Sequence, residues 1–151
     1  MRDPAPVSHP GTRPKTHSHI CNNKVRFIPY TYPTMAIDDP LIIEQQSSTV
    51  PGTVLLRLSG PVTLRNLFDL QARLRSGDLP KNQILDLSGV PYMDSAGMGA
   101  IINHHVHCQN KQVRLIVSGV SPRVFELFRM TRVDGIMSLA PSVEAAEATL
   151  L

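Results

Sequence analysis

Residues 85–102 read LDLSGVPYMDSAGMGAII, which runs from an apolar segment through a short polar turn into a second apolar segment. In residues 82–90, the apolar side chains of Ile84, Leu85 and Leu87 predict a largely buried central strand. After the turn, side chains recur at the spacing of one helical face, at Met98, Ile101, Ile102, His105 and Val106. The stretch therefore predicts a strand, a turn that holds Asp94 and Ser95, and a helix.

The alternation of strands and helices continues on both sides of this unit. Strand patterns occupy residues 41–45, 53–60, 82–90, 113–119 and 135–139, and helical patterns follow Thr63, Ser95, Ser121-Pro122 and Pro141. The first two strands, separated by Pro51 and Gly52, predict a hairpin. The later strands alternate with helices, which indicates parallel pairing. The predicted fold is α/β, with a mostly parallel mixed sheet, an antiparallel edge hairpin and about four flanking helices.

Two of these helices are expected to bury broad apolar faces. The first would bury Leu64, Leu67, Phe68, Leu70, Ala72 and Leu74, with Thr63 as its cap and Gly77 beyond its end. The third would bury Val124, Phe125, Leu127, Phe128 and Met130, with proline at its first position.

The first 34 residues differ from the rest of the chain. They carry five basic side chains against one acidic one, whereas residues 35–151 carry ten basic and 11 acidic side chains. They also hold 6 of the 13 prolines. We expect residues 1–34 to be a disordered tail, or an upstream extension of a chain that starts at Met35. Residues 35–151 form the predicted domain, whose charge gives no reason to bind nucleic acid.

Two further features bear on the setting of the protein. No apolar run approaches the roughly 18 residues of a membrane span, and no secretory signal pattern opens the chain. Cys21 and Cys108 are too few for a disulfide framework. These features favour a reducing, cytoplasmic location.

Catalysis by Ser95 is disfavoured by its surroundings. A nucleophile elbow needs glycine two residues before the serine, where this chain has Met93. In a helix that starts near Ser95, His104 lies about 13 Å along the axis. That distance excludes a direct hydrogen bond between the two side chains. A small serine hydrolase therefore remains only a remote alternative.

The histidines at 104, 105 and 107 and the glycines at 97 and 99 suggest two further sites. His104 and His107 share a helical face, and Cys108 lies beside His104, but a third strong ligand is missing for a metal. A polar helix face with His105 half buried is favoured. Gly97 and Gly99 resemble the start of a dinucleotide fingerprint, but Ile102 occupies the third glycine position. No metal or cofactor is predicted, and a metal-binding protein, like the serine hydrolase, is only a remote alternative.

Two roles for Ser95 remain open from the residues alone. Its hydroxyl can cap the helix that follows, as one half of an exposed Asp94-Ser95 capping pair. It can also be a modification site, because a phosphate there would meet the positive end of the helix dipole and add charge beside Asp94. Gly97 and Gly99 would then allow a partner to approach the helix start closely.

Several segments resemble one known family. LDLSGVPYMDSAGMGAII, LLRLSGPVT and SGVSPRVFELFRMTRVDGIM are similar, in order, to segments of the STAS domain of bacterial anti-sigma factor antagonists. The resemblance spans about residues 40–150. It implies a non-enzyme that binds an anti-sigma factor serine kinase, is phosphorylated at the position of Ser95, and is reset by a phosphatase. It also implies a partner surface, formed by Thr63, Asp94, Ser95, Ala96, Gly97, Met98 and Gly99.

Two positions depart from the family pattern. Ala96 stands where relatives often carry a second hydroxyl residue, which leaves Ser95 as the single target. Thr63 stands where they often carry an acidic residue, so either the kinase differs or the switch is weak or lost. Some members of the family act without phosphorylation, as modules of signalling or lipid-transport assemblies, and this is the alternative function.

Overall fold

The computed structural model describes residues 39–151, and the predicted tail lies outside this part of the chain. The elements are, in chain order, β1 (Ile42–Ser47), β2 (Thr53–Ser59), a 3₁₀ turn (Leu64–Asn66), α1 (Leu67–Leu74), β3 (Asn82–Gly89), α2 (Ser95–Asn110), β4 (Arg114–Ser118), α3 (Pro122–Met130), a second 3₁₀ turn (Val133–Gly135), β5 (Ser138–Ala140) and α4 (Val143–Ala148). The predicted succession of strands and helices is confirmed.

The five strands form one mixed sheet in the order β1-β2-β3-β4-β5. The hairpin strands β1 and β2 pair antiparallel, and every later pair is parallel. The predicted fold class is therefore confirmed. Because β2, β3 and β4 run in the same direction, their carboxyl ends meet at one edge of the sheet, where the turns into α1, α2 and α3 begin.

The two faces of the sheet carry unequal cores. Side chains alternate between the faces along β3, so that Leu85 and Leu87 point to one side and Ile84 to the other. The larger core packs strand residues such as Leu85 against α1, α2 and α3. The smaller core packs Ile84 and its neighbours against α4.

α4 is also held from outside the core. The carboxylate of Glu147 accepts hydrogen bonds from the Ser48 hydroxyl and from the backbone N–H and hydroxyl of Thr49. These bonds lower the pKa of Glu147. The last helix is thereby fastened to the turn of the edge hairpin.

Five apolar side chains that we expected in the core are exposed, and for these the prediction is wrong. In α1 and the turn before it, Leu70 and Leu74 are buried, but Leu64 is 63% and Phe68 77% exposed. Ala72 is exposed as well. In α3, Val124 and Phe128 are buried, whereas Phe125 and Met130 are exposed. Each helix rests on the sheet along one narrow stripe, so an apolar face wider than that stripe leaves its margins in solvent.

The last strand also differs from the prediction. Residues 133–135 form a 3₁₀ turn, and β5 spans only Ser138–Ala140 rather than residues 135–139. Arg132 adopts a left-handed conformation with φ of 58° just before this turn. The chain therefore needs additional residues to leave α3 and enter the sheet.

Substitutions of the two phenylalanines of α3 should separate its buried face from its exposed face. Phe128 is fully buried, so Phe128→Ala should lower the free energy of unfolding by about 3–5 kcal/mol. Phe125 is 37% exposed, so Phe125→Ala should cost about 1 kcal/mol or less. Urea denaturation of both variants measures the difference. Equal losses would contradict the packing described here.

Candidate functional site

The region around Ser95 is built where two turns cross at the carboxyl edge of the sheet. Val62, which follows β2, forms an isolated parallel bridge with Met93, which follows β3. The Val62 N–H donates to the Tyr92 carbonyl at 3.0 Å, and the Asp94 N–H donates to the Val62 carbonyl at 3.1 Å. These bonds fix the start of α2 against the turn that leads into α1.

The carboxylate of Asp94 joins these two turns. Its Oδ1 accepts the N–H of Gly97 at 2.8 Å and so caps α2, while its Oδ2 accepts the N–H of Leu64 at 2.9 Å. One side chain thus satisfies backbone donors at the start of two helical segments. Asp94 is the N-cap residue and Ser95 is the first residue of α2. The expectation that the Ser95 hydroxyl caps the helix is therefore wrong.

The two glycines of the turn have different structural roles. A Cβ atom at Gly97 would clash with the carbonyl oxygen of Val62, so this position needs glycine for the close approach of the two turns. At Gly99, a Cβ atom would meet no other atom within 4 Å. Internal packing therefore explains Gly97 but leaves Gly99 unexplained.

The structure divides the expected partner surface into exposed and buried positions. Ser95 and Gly99 are exposed, and Asp94 and Ala96 are partly exposed. Thr63, Gly97 and Met98 are buried. Met98 packs in the larger core, and the Thr131 hydroxyl donates to its sulfur at 3.2 Å. As the structure stands, the buried residues shape this surface from beneath and do not offer side chains to a partner.

The turn at Thr63 is closed by Asn66. The side-chain oxygen of Asn66 accepts the N–H of Thr63 at 3.0 Å, and its amide nitrogen donates to the carbonyl of Pro61 at 2.8 Å. The turn is thus held by neutral groups together with Asp94.

Two of the three histidines of α2, His104 and His105, are buried, whereas His107 is partly exposed. His104 Nε2 lies 2.7 Å from Gln83 Oε1 on β3, and Cys108 Sγ lies 3.6 Å from the same oxygen. Since an amide oxygen only accepts, Nε2 carries the proton of this bond. His105 is also buried, which corrects the expectation of a polar helix face.

Burial controls the ionisation of this cluster. It lowers the pKa of His104 from 6.5 to about 4, with smaller contributions from the charges of His107, His105 and Arg75. It raises the pKa of the Cys108 thiol to about 11. A protonated thiol is a poor metal ligand, and His104 Nε2 is already hydrogen-bonded to Gln83. No three His, Cys, Asp or Glu side chains within residues 39–151 are grouped to hold a metal ion.

Comparison with models of known protein families shows which family the chain belongs to. The model of the STAS domain matches residues 44–146, which is more than half of the chain. The chain belongs to the STAS domain family. Within residues 39–151, no helix has the length and apolar character needed to cross a bilayer.

One curated relative and two solved structures extend this result. The chain is 34% identical over 55 residues to an anti-sigma-B factor antagonist of Listeria monocytogenes, an alignment that covers 36% of this chain and 48% of the relative. The chain thus spans about half the length of that relative.

Both structures share the STAS fold at low sequence identity. An anti-sigma factor antagonist from Mycobacterium paratuberculosis is similar with a TM-score of 0.67 and 18% identity, over 74% of this chain and 95% of that one. A sulfate transporter family protein from Wolinella succinogenes is similar with a TM-score of 0.61 and 23% identity. The match covers 69% of this chain and 90% of that one.

Two apolar residues near the start of α1 did not emerge from the sequence as surface residues. The sequence pattern predicts Leu64 and Phe68 in the core, yet both are exposed, and the Leu64 N–H is bonded to Asp94, the residue before Ser95. A usable signal was present, because residues 64, 68, 71 and 75 share one helical face and two of them, Gln71 and Arg75, are polar.

The two glycines provide a matched test of the turn. Gly97→Ala should destabilise the domain by about 1–3 kcal/mol, because the new methyl group forces Val62 and α2 apart. Gly99→Ala should stabilise it by up to about 1 kcal/mol, because alanine favours the helix and space is open. Denaturant midpoints of both variants measure these changes. A tolerated alanine at position 97 would contradict the close crossing of the turns.

His104 should make stability depend on pH. The unfolded chain binds a proton near pH 6.5, whereas the folded chain resists protonation down to about pH 4. Stability should therefore fall as the pH drops through this window, by at most about 3 kcal/mol. The matched variant is His104→Gln, which cannot titrate, and its stability should change less between pH 7 and 4.5. The same pH dependence in both proteins, measured by urea denaturation, would assign the effect to other groups.

Proposed function

We propose that this STAS domain protein is an anti-sigma factor antagonist, which binds an anti-sigma factor serine kinase and is released when Ser95 is phosphorylated. The observation that carries the proposal is the placement of Ser95. It is exposed as the first residue of α2, and the neighbouring Asp94 supplies the cap. The name of the Listeria relative supports the same class of activity.

Phosphorylation at this position is compatible with the fold. The helix cap and the link to Leu64 both depend on Asp94, so a modified Ser95 gives up no structural hydrogen bond of the cap. The phosphate would lie at the positive end of α2, which tolerates negative charge. The domain should therefore remain folded in both states.

The same phosphate would be unfavourable in a partner interface. It adds nearly two negative charges beside the carboxylate of Asp94, on a surface that otherwise offers a hydroxyl, a methyl group and a bare glycine. In an interface that forms on the unmodified surface, the phosphate would be repelled by the Asp94 carboxylate. It would also lose its hydration water, which is energetically unfavourable. Phosphorylation would therefore weaken the interface and release the kinase, and removal of the phosphate by a phosphatase would restore binding.

The uncharged side chain of Thr63 bears on which kinase can recognise the protein. Its side chain is buried and uncharged, so the acidic group that relatives often carry at this position is missing. We infer that the kinase of this protein does not rely on a carboxylate here. The carboxylate nearest to Ser95 is that of Asp94, and its two oxygens already accept backbone N–H groups.

A second function is a STAS interaction module without a phosphorylation cycle, within a signalling or transport assembly. Buried, uncharged Thr63 favours it, and the similar fold of the Wolinella sulfate transporter family protein is compatible with it. A serine hydrolase gains no support, since the imidazole of His104 is turned inward to Gln83.

Substitutions of Ser95 distinguish these functions. Ser95→Asp should weaken binding to the anti-sigma factor kinase encoded nearest in the genome by tenfold or more, or at least about 1.4 kcal/mol. Ser95→Ala should bind like the parent protein and take up no phosphate. Calorimetry measures binding, and intact-mass analysis after incubation with ATP measures phosphorylation.

Ser138→Asp is the matched control, because Ser138 is exposed on the edge strand β5, two strands away from β3 in the sheet. It should bind like the parent protein. Tight binding by Ser95→Asp, or phosphate on Ser95→Ala, would overturn the switch. Binding without any phosphate uptake by the parent protein would favour the module function.

A further inference from the structure

Two large apolar side chains stand exposed at the start of α1. Leu64 is 63% and Phe68 77% exposed. They are four residues apart, so they lie on the same side of the helical segment. A pair of this size in solvent gains nothing from the hydrophobic effect within this domain.

This pair lies beside Ser95. The Leu64 N–H is bound to Asp94, the residue before Ser95, at 2.9 Å. Two to three helical turns after Leu64, the α1 residues Gln71 and Arg75 line a small depression together with Asn103 and His107 of α2. Phe68 precedes Gln71 by about one turn and Gly99 precedes Asn103 by about one turn, so Phe68 lies next to Gly99.

Gly99 completes the surface. It is exposed and has no neighbour that a side chain would touch, although glycine in a helix costs up to about 1 kcal/mol relative to alanine. Its bare backbone leaves open space on the surface of α2. We call this surface the Ser95 groove, and its residues are Leu64, Phe68, Ser95, Ala96 and Gly99.

We propose that the Ser95 groove is the docking surface for an apolar segment of the serine kinase that modifies Ser95, with Phe68 as the main specificity contact. The inference rests on the proposed function and adds the side chains that recognise the partner. Large aromatic side chains that become buried at an interface commonly contribute a large share of the affinity. The glycine opposite Phe68 lets the partner's backbone approach α2 closely.

The continuity of the groove with Ser95 favours a kinase over a second copy of this chain. Ser95 and Gly99 are four residues apart on α2, so they lie on the same side of that helix and a molecule seated over Gly99 reaches Ser95. A second copy seated there would shield the hydroxyl from phosphorylation, whereas the modifying enzyme must cover it. The phosphate would then appear inside the apolar contact, where its desolvation is most costly.

The test uses the full chain and the same kinase. Phe68→Ser should weaken kinase binding at least tenfold and lower the rate of Ser95 phosphorylation at low substrate concentration to a similar degree. Phe68→Leu should recover part of both losses. The control is Ile136→Ser, which removes a side chain that is 56% exposed just before β5, at the opposite edge of the sheet. Thermal melting should show that all variants remain folded.

The possible results distinguish a failure of the Ser95 groove from a failure of the proposed function. A Phe68→Ser protein that binds and is phosphorylated like the parent protein overturns the groove while leaving the proposed function standing. A parent protein that neither binds the kinase nor takes up phosphate overturns the proposed function, and the groove with it. A parent dimer that becomes monomeric in Phe68→Ser, measured by sedimentation, overturns the kinase as occupant in favour of a second copy.

Discussion

The functional edge of this domain depends on the carboxylate of Asp94. Its two oxygens accept N–H groups from Gly97 and Leu64, which belong to the starts of two different helical segments. Backbone donors at helix starts must be satisfied, and one side chain here satisfies them for both. The crossing of the two turns, and with it the position of Ser95, follows from this arrangement.

The arrangement separates the structural residue from the residue offered to solvent. Had Ser95 been the cap, its modification would have removed a bond that α2 needs. Because Asp94 is the cap, Ser95 can change its charge while the helix keeps its start. The buried side chains beneath, Met98 and Thr63, then hold the surface in a fixed shape.

The order of strands and helices was predictable because local patterns alone determine it. The apolar run of β3 and the hairpin punctuated by Pro51 and Gly52 need no knowledge of distant contacts. Which helical side chains are buried was less predictable, because this depends on how each helix rests on the sheet. Phe68 and Phe125 show this, since both lie at the margin of an apolar face and both are exposed.

The candidate site shows the same division between local and distant information. The sequence placed Asp94, Ser95 and the glycines at the start of a helix, as the structure does. It did not reveal that Val62, more than 30 residues earlier, requires the glycine at 97, or that the second oxygen of the Asp94 carboxylate accepts the Leu64 N–H. Both facts depend on a contact between two turns that no periodic pattern encodes.

The residues left unexplained by the fold are informative because they are adjacent. A domain of this size gains stability from every buried apolar side chain and loses it at every helical glycine. Phe68 is exposed and Gly99 has open space where a side chain could stand, so each forgoes one of these gains. One isolated exception of this kind would be ordinary on a protein surface. Two of them, on the two helices that begin at the Asp94 carboxylate, are better accounted for by a contact outside the domain than by its own folding.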